Sequence, residues 1–454
     1  MPIQHWMTFG TFAEQRYFIY PDVNTYDGII INGNMATHAP DGMAAFLIEK
    51  TRPKMPYIID PLTHAFQHDP SHITSSKKDG TLDIKGPIKN LSEKFGEPIK
   101  SLVGSRPVNS KDLESDDILK EFVYNVLKFQ KEQLSSRMAG SDVNKKYLEH
   151  TEAELVPYAL ISPYFYMTES SYARWLPIMQ RSLQFAKSFD EFSSCKIFTS
   201  IVVSQGVILD NEIITSICEA MGDSPSDGFL FWIDGLSEHS AGGHELKGLL
   251  NLSSGLRKNN SRELINLHGG YFSIMAAGGK FGKQYFTGVA HGPEFGETRP
   301  VIPVGGGIPI AKYYVKSLHS RIKYNDTVAF FKAKGWLESS EVFHQKICNC
   351  LECQTVLSGD VDNFSLYGLT DSKPVKRGNG FVTIDYPTKE TKEHCLRHYL
   401  QIKKWEYDFA ANASKEEIIE DLNQGLFQFQ DITGIEYLTY IDLWRKVLLS
   451  HENN

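Results

Sequence analysis

The chain reads as an α/β protein: a (β/α)8 TIM-like barrel with an inserted helical segment and a C-terminal zinc-binding subdomain. Three observations point there. About eight short β-rich runs recur along the chain, and several are almost continuously apolar, as strands buried on both faces of a parallel sheet must be. Amphipathic stretches, such as Ser171 to Phe189 and Asn211 to Met221, separate them. Alternation of strand and helix calls for a parallel sheet, and about eight units favour a closed barrel over an open doubly wound sheet.

The runs can be taken in order. Gly28 to Asn32 and Met55 to Asp60 are the first two; Tyr158 to Ser162, Ile197 to Val203 and Gly228 to Ile233 follow. Leu264 to Leu267, Tyr285 to Val289 and a weaker run, Val301 to Val304, complete the set. Residues 70–150 break the rhythm. They are polar and Lys-rich, with a helix expected over Asp116 to Ser135 that carries Phe122, Val126 and Phe129 at helical spacing. This is read as an insertion between the second and third of these strands. Residues 1–335 then form the barrel domain, and 336–454 the zinc region with terminal helices. Within that region, residues 354–390 are rich in Gly, Asp, Asn and Ser and suit a loop or small hairpin. Ser414 is placed to cap a terminal helix opening on Glu416 and Glu417.

Bulk properties narrow the class. No run approaches the roughly 18 uninterrupted apolar residues of a membrane span, so no membrane is expected. The start Met1-Pro-Ile-Gln-His-Trp has neither the basic opening nor the apolar stretch of a signal peptide, and a cytoplasmic protein is expected. The net charge of −8 confines any grip on nucleic acid to a local basic face. Lys373, Lys376 and Arg377 form one such cluster; Arg397, Lys403 and Lys404 form another.

Half of the six cysteines fall within Cys348-Asn-Cys350-Leu-Glu-Cys353. Three thiols so close cannot all pair with one another as disulfides, and thiolates are the soft, charged ligands that suit tetrahedral zinc. A fourth ligand is needed. His394 and His398 follow one helical turn apart, and Cys395 adds a further soft donor. A site closed by four protein ligands would be structural Zn2+.

Catalytic groups of a barrel sit at the C-terminal ends of its strands. Asp60 and Asp234 fall at two such ends; His268-Gly269-Gly270 and His291-Gly292 follow two others. The glycines place bare backbone where a flat ligand can approach. Gly305-Gly-Gly307 matches neither a Walker loop nor the dinucleotide fingerprint and reads as a tight turn. The sequence has no Gly-x-Ser-x-Gly elbow and no kinase set, so hydrolase and phosphotransferase readings lack support.

Cys-x-Cys-x-x-Cys followed by a histidine, after a barrel-like succession of strands, resembles the tRNA-guanine transglycosylase superfamily. Ile265-Asn-Leu-His-Gly-Gly270 is similar to that family's strand ending in Gln-Gly-Gly, and Gly288-Val-Ala-His-Gly-Pro-Glu-Phe-Gly-Glu297 more loosely to its Gly-Leu-x-x-Gly-Glu segment. Asp60 opens Asp-Pro-Leu-Thr-His-Ala-Phe in place of the family's Asp-Ser-Gly-Gly, and no counterpart of its Pro-Thr-Arg sequence is found. These departures favour the divergent branch that places 7-deazaguanines into DNA; tRNA as the substrate, and a non-catalytic zinc protein that binds nucleic acid, are the alternatives. The resemblance implies a pentosyltransferase that exchanges guanine for a cyano- or aminomethyl-substituted 7-deazaguanine through a covalent aspartyl-glycosyl intermediate. It makes Asp60 and Asp234 the pocket carboxylates, with Asp60 leaning towards acid/base and Asp326 a weaker candidate nucleophile. His268, Gly269, Gly270, His291 and Gly292 would line the base pocket, and His398 is preferred over His394 as the fourth zinc ligand. A homodimer or partner proteins of a modification system are the expected company.

Overall fold

The computed structural model describes residues 2–9, 26–49, 51, 55–76, 82–135, 155–257, 262–293, 297–302, 309–377, 380–430 and 439–451. Eight strands run round one parallel sheet in chain order: β1 (Gln4–Phe9), β2 (Gly28–Asn32), β3 (Tyr57–Asp60), β4 (Leu160–Ser162), β5 (Ile197–Val203), β6 (Gly228–Ile233), β7 (Glu263–Asn266) and β8 (Gly288–His291); a ninth, two-residue strand, Tyr166–Met167, pairs with β5 just past β4. β8 returns to pair with β1, with Gln4 opposite Gly288 and Met7 opposite His291. Between β3 and β4 the ladder is thin: one bridge, Ile58 to Ala159, and a hydrogen bond from Tyr158 N to Tyr57 O at 2.7 Å. The result is a nearly closed, TIM-barrel-like cylinder.

Burial explains the strand composition. Every residue of β3, β5 and β6 is buried, because one face fills the barrel and the other lies under helices. Gly28 and Gly228 leave room inside for aromatic rings: a Cβ at Gly28 would lie 2.3 Å from the Trp6 ring, and one at Gly228 2.6 Å from Phe198.

Two expectations about strands are corrected. The missing strand is β1, at the N-terminus; Val301 and Ile302 lie in a bend and are not part of a strand, and residues 303–308, including Gly305 to Gly307, lie outside the described residues. β1 was hidden because His5 and Thr8 interrupt its apolar pattern, although His5 is buried against Tyr407, their ring centroids 4.1 Å apart. The strand foreseen at Tyr285 to Val289 is β8, displaced to Gly288–His291.

The insertion holds a small hairpin, Thr74–Ser76 with Leu82–Ile84, and helix α1 (Asp116–Glu132), while residues 136–150 of it lie outside the described residues. Phe122, Val126 and Phe129 are buried there as their spacing requires. The neighbouring Gln130 side chain takes both the N–H and the C=O of Ile161, at 2.6 and 2.8 Å, which ties α1 to β4. Helices α2 (Tyr172–Ser188), α3 (Asn211–Gly222), α4 (Gly243–Leu256) and α5 (Tyr271–Ala277) follow β4 to β7.

After β8 come two antiparallel hairpins: β9 (Lys312–Val315) with β10 (Ser320–Lys323), and β11 (Thr370–Arg377) with β12 (Gly380–Pro387). The short helix α6 (Leu351–Leu357) lies between them, and α7 (Lys389–Asn412), α8 (Lys415–Phe429) and α9 (Thr439–His451) end the chain. α7 closes back on the barrel: Tyr407 Oη donates to Val289 O at 2.9 Å. Ser414 caps α8, its Oγ accepting from Glu417 N while Glu417 Oε2 accepts from Ser414 N. Among the described residues no helix is long and apolar enough to cross a membrane.

Candidate metal centre and candidate active site

Cys350 caps α6 and Cys348 sits two residues before it, so the Cys-x-Cys-x-x-Cys spacing wraps three sulfurs around one helix N-terminus. His398, midway along α7, faces them. The ligand atoms of Cys348, Cys350, Cys353 and His398 all lie within 4.8 Å of one another. His398 Nδ1 is 3.8, 3.4 and 3.4 Å from the sulfurs of Cys348, Cys350 and Cys353. Zinc bonds of about 2.3 Å to sulfur and 2.0 Å to nitrogen at a tetrahedral angle imply a spacing of about 3.5 Å. The group could therefore hold a metal ion, and its donor chemistry fits zinc.

The surroundings prepare the ligands. His398 Nε2 donates to Tyr314 O at 2.7 Å, leaving the Nδ1 lone pair towards the sulfurs. Tyr313 and Tyr367 hydroxyls lie 3.2 and 3.4 Å from Cys353 Sγ, and the Cys350 and Cys353 amides point at the sulfurs of Cys348 and Cys350. The other candidates are engaged elsewhere. His394 Nδ1 is 2.7 Å from Glu352 Oε1. The Cys395 thiol donates to Tyr367 O, and burial pushes it up to about 12. None of the six cysteines is in a disulfide.

A second constellation lies at the C-terminal ends of the barrel strands. Asp60 ends β3 and is 7% exposed; its Oδ1 accepts from Tyr164 Oη at 2.5 Å and from Leu62 N at 3.1 Å. Burial raises its carboxyl above the usual range, against the lowering pull of Tyr164, Leu62 and the Arg299 guanidinium. Tyr164 also meets His64 Nδ1 at 3.1 Å. His64 stands edge-on to Trp232, which in turn packs against His268, with centroids 5.4 and 4.9 Å apart. Burial, with the Arg299 charge nearby, holds both imidazoles well below their ordinary value, so they are neutral. The Arg299 charge thus acts on Asp60, His64 and His268 together.

Asp234, just past β6, sits alongside. Its Oδ2 accepts from Tyr166 Oη at 2.8 Å and its Oδ1 from Val301 N at 2.7 Å. Tyr164 and Tyr166, two residues apart, therefore hold one carboxylate each. His68 adjoins both: its ring is 5.7 Å from that of His64, its charge couples to Asp234, and it hydrogen-bonds the Val301 backbone. Its Nε2 is buried with no hydrogen-bond partner.

Gly269 and Gly270 are there because side chains would not fit. A Cβ on Gly269 would fall 2.5 Å from Val289, and one on Gly270 2.7 and 2.9 Å from the carboxylates of Glu238 and Glu297. Glu238 is fully buried and pushed up to about 7, mainly by burial; Ser273 donates to it.

Three candidates lie elsewhere. His291 is buried between His5 Nε2 at 2.7 Å and Tyr399 of α7 at 3.0 Å, and Gly292 follows it there. Asp326 occupies the first turn of helix Tyr324–Ala333, where a negative charge complements the helix dipole. Lys403 of α7 is wholly buried and paired with Glu297, the carboxylate beside Gly270, and with Glu406, and Glu406 also meets His319 at 2.8 Å.

Sequence reasoning missed His64, His68, Tyr164, Tyr166, Trp232 and Arg299. The His64-x-x-x-His68 spacing after Asp60 was a usable signal; Tyr164 and Arg299, in irregular segments, and Tyr166, in a two-residue strand, gave none. No protein-family model and no curated protein matches this chain.

Proposed function

We propose that the protein is a base-exchange transglycosylase that replaces guanine in DNA by a 7-deazaguanine. The observation that carries this reading is the pair Asp60 and Asp234: two carboxylates in unlike settings, each held by its own tyrosine, at one barrel mouth. Paired carboxylates in unlike environments divide the labour of acid and nucleophile at a glycosidic carbon.

In this account a flipped-out deoxyguanosine reaches the barrel mouth beside the contiguous rings of His64, Trp232 and His268, whose imidazoles are neutral. An Asp234 carboxylate oxygen attacks C1′, the C1′–N9 bond breaks, and its electron pair leaves with the purine. Asp60, whose burial favours the protonated form, gives its proton to the departing ring. The incoming 7-deazaguanine loses its N9 proton to Asp60, and its nitrogen displaces Asp234 from C1′. Configuration is retained because both displacements invert. Glu238 and Glu297, beside Gly270, offer acceptors for the amino groups of the base. Zinc held by Cys348, Cys350, Cys353 and His398 would supply structure alone, pinning α6 to α7.

The test is incubation with DNA carrying labelled guanine, or with labelled tRNA, with and without a 7-deazaguanine. Release from DNA that requires the added base is expected. Release from tRNA alone would move the activity to tRNA, and release from neither would overturn the proposal. Release that ignores the added base would make the protein a hydrolase.

A further inference from the structure

The β11–β12 hairpin stands apart from the core. Residues 370–374 and 380–383 are exposed, Phe381 is 74% exposed and Val382 51%. Isolated two-stranded ribbons are marginally stable in water, and large apolar side chains at their ends normally seek cover. The pairing is regular: Lys373 opposite Ile384, Val375 opposite Val382, Lys376 opposite Phe381. Charge along it is uneven. From Ser372 to Ile384 the sequence has three cations and no acid, in a chain of net charge −8, while Asp371 and Asp385 sit at the base.

That base is fastened to the metal centre. Thr388, which ends the hairpin and caps α7, donates its N–H to Leu369 O, and Thr391 Oγ1 holds Leu366 O and Leu369 O. Tyr367, three residues before β11, meets Cys353 Sγ through its hydroxyl and Cys395 Sγ through its carbonyl. The four-ligand cluster thus stiffens the root of the ribbon.

We propose that this ribbon is a DNA-binding element, laid into a groove of the duplex with Lys373 and Lys376 on phosphates and Phe381 against the bases. The occupant is duplex DNA for a geometric reason. The B-form major groove, about 12 Å wide, admits a two-stranded ribbon, whereas the A-form major groove of RNA is too narrow. Lys376, opposite Phe381 on the same face, sets a cation beside an exposed aromatic ring, and Lys373 lies on the other face; phosphate contact with partial unstacking lowers the work of extruding a base. The inference rests on the base-exchange reading for its substrate, and it assigns the grip on DNA to the ribbon.

The experiment measures binding of full-length protein to a fluorescent DNA duplex and to tRNA across a salt series, for wild type, Phe381→Ala and the double variant Lys373→Glu with Lys376→Glu. Zinc content and circular dichroism confirm intact folding. Expected are a loss of duplex affinity of about tenfold or more for the charge reversal and a shallower salt slope, by about two counterions. Phe381→Ala should weaken duplex binding several-fold and slow exchange on duplex more than on single-stranded DNA. Unchanged duplex affinity in both variants, with wild-type exchange intact, would overturn the ribbon's role and leave the proposed activity standing. Wild-type protein that neither binds nor modifies DNA would overturn both. Tighter binding of tRNA than of duplex through the same residues would overturn the assignment to DNA.

Discussion

His398 and Tyr314 are joined by a hydrogen bond of 2.7 Å from imidazole Nε2 to backbone carbonyl, and that contact turns Nδ1 towards three cysteine sulfurs. The tautomer is fixed before any metal arrives. Purified protein should therefore hold one zinc per chain. His398→Ala and Cys353→Ser should lose it and unfold at lower temperature, since binding energy at such a site is folding energy. His394→Ala should keep its metal, because His394 is spent on Glu352. Elemental analysis and thermal melts check this.

Asp60 accepts a hydrogen bond of 2.5 Å from Tyr164 Oη. Asp60→Asn should lower exchange by about 10²–10⁴-fold, the usual reach of general acid–base catalysis, with zinc content unchanged. Tyr164→Phe removes one hydrogen bond that stabilises the carboxylate, so the carboxyl should rise further. In a pH–rate profile, the limb that reports Asp60 should then move to higher pH. A profile unmoved by Tyr164→Phe would detach Asp60 from proton transfer.

Glu238 titrates near 7 in the folded protein, against about 4.5 for an ordinary glutamate. Between those values the folded state holds a proton that the unfolded state has released, so stability falls as pH rises from about 4.5 to 7 and levels off above. At pH 8 the cost is on the order of 3 kcal/mol, from about 1.4 kcal/mol per unit. Glu238→Gln should flatten this stretch of the denaturation profile and raise the melting temperature at pH 8. Chemical denaturation at several pH values reads it directly.

Lys403 carries a buried charge between Glu297 and Glu406. Lys403→Met should destabilise the fold by about 3–5 kcal/mol, because two carboxylates are left without their partner. The double variant Lys403→Met with Glu406→Gln should recover part of that loss. Additive losses would mean that the pair is not coupled.

The cylinder was legible in the sequence because strands buried on both faces are written as uninterrupted apolar runs, as in Ile197 to Val203 and Gly228 to Ile233. β1 was not, since His5 is buried by pairing with His291 and Tyr407, partners that lie 286 and 402 positions away. The metal ligands could be read because tetrahedral thiolate binding demands a short, fixed spacing; choosing His398 over His394 needed the helix face that points at the sulfurs. Asp60 and Asp234 were visible as polar residues ending apolar runs. The rings and guanidinium that complete their pocket come from the segments after β3, β4, β7 and β8 and, for Trp232, from β6 itself, and only the cylinder brings those together. His291 ends β8 just as regularly, yet it pairs outward with α7, a distinction that strand-end position alone does not encode.

The most direct test of the account is to mix the protein with labelled duplex DNA in the absence of incoming base, quench with acid, digest, and locate any oligonucleotide bound to protein. The account predicts a covalent adduct through its deoxyribose on the peptide containing Asp234, lost in Asp234→Ala and discharged by added 7-deazaguanine. No adduct, or an adduct on Asp60 or Asp326, would contradict it.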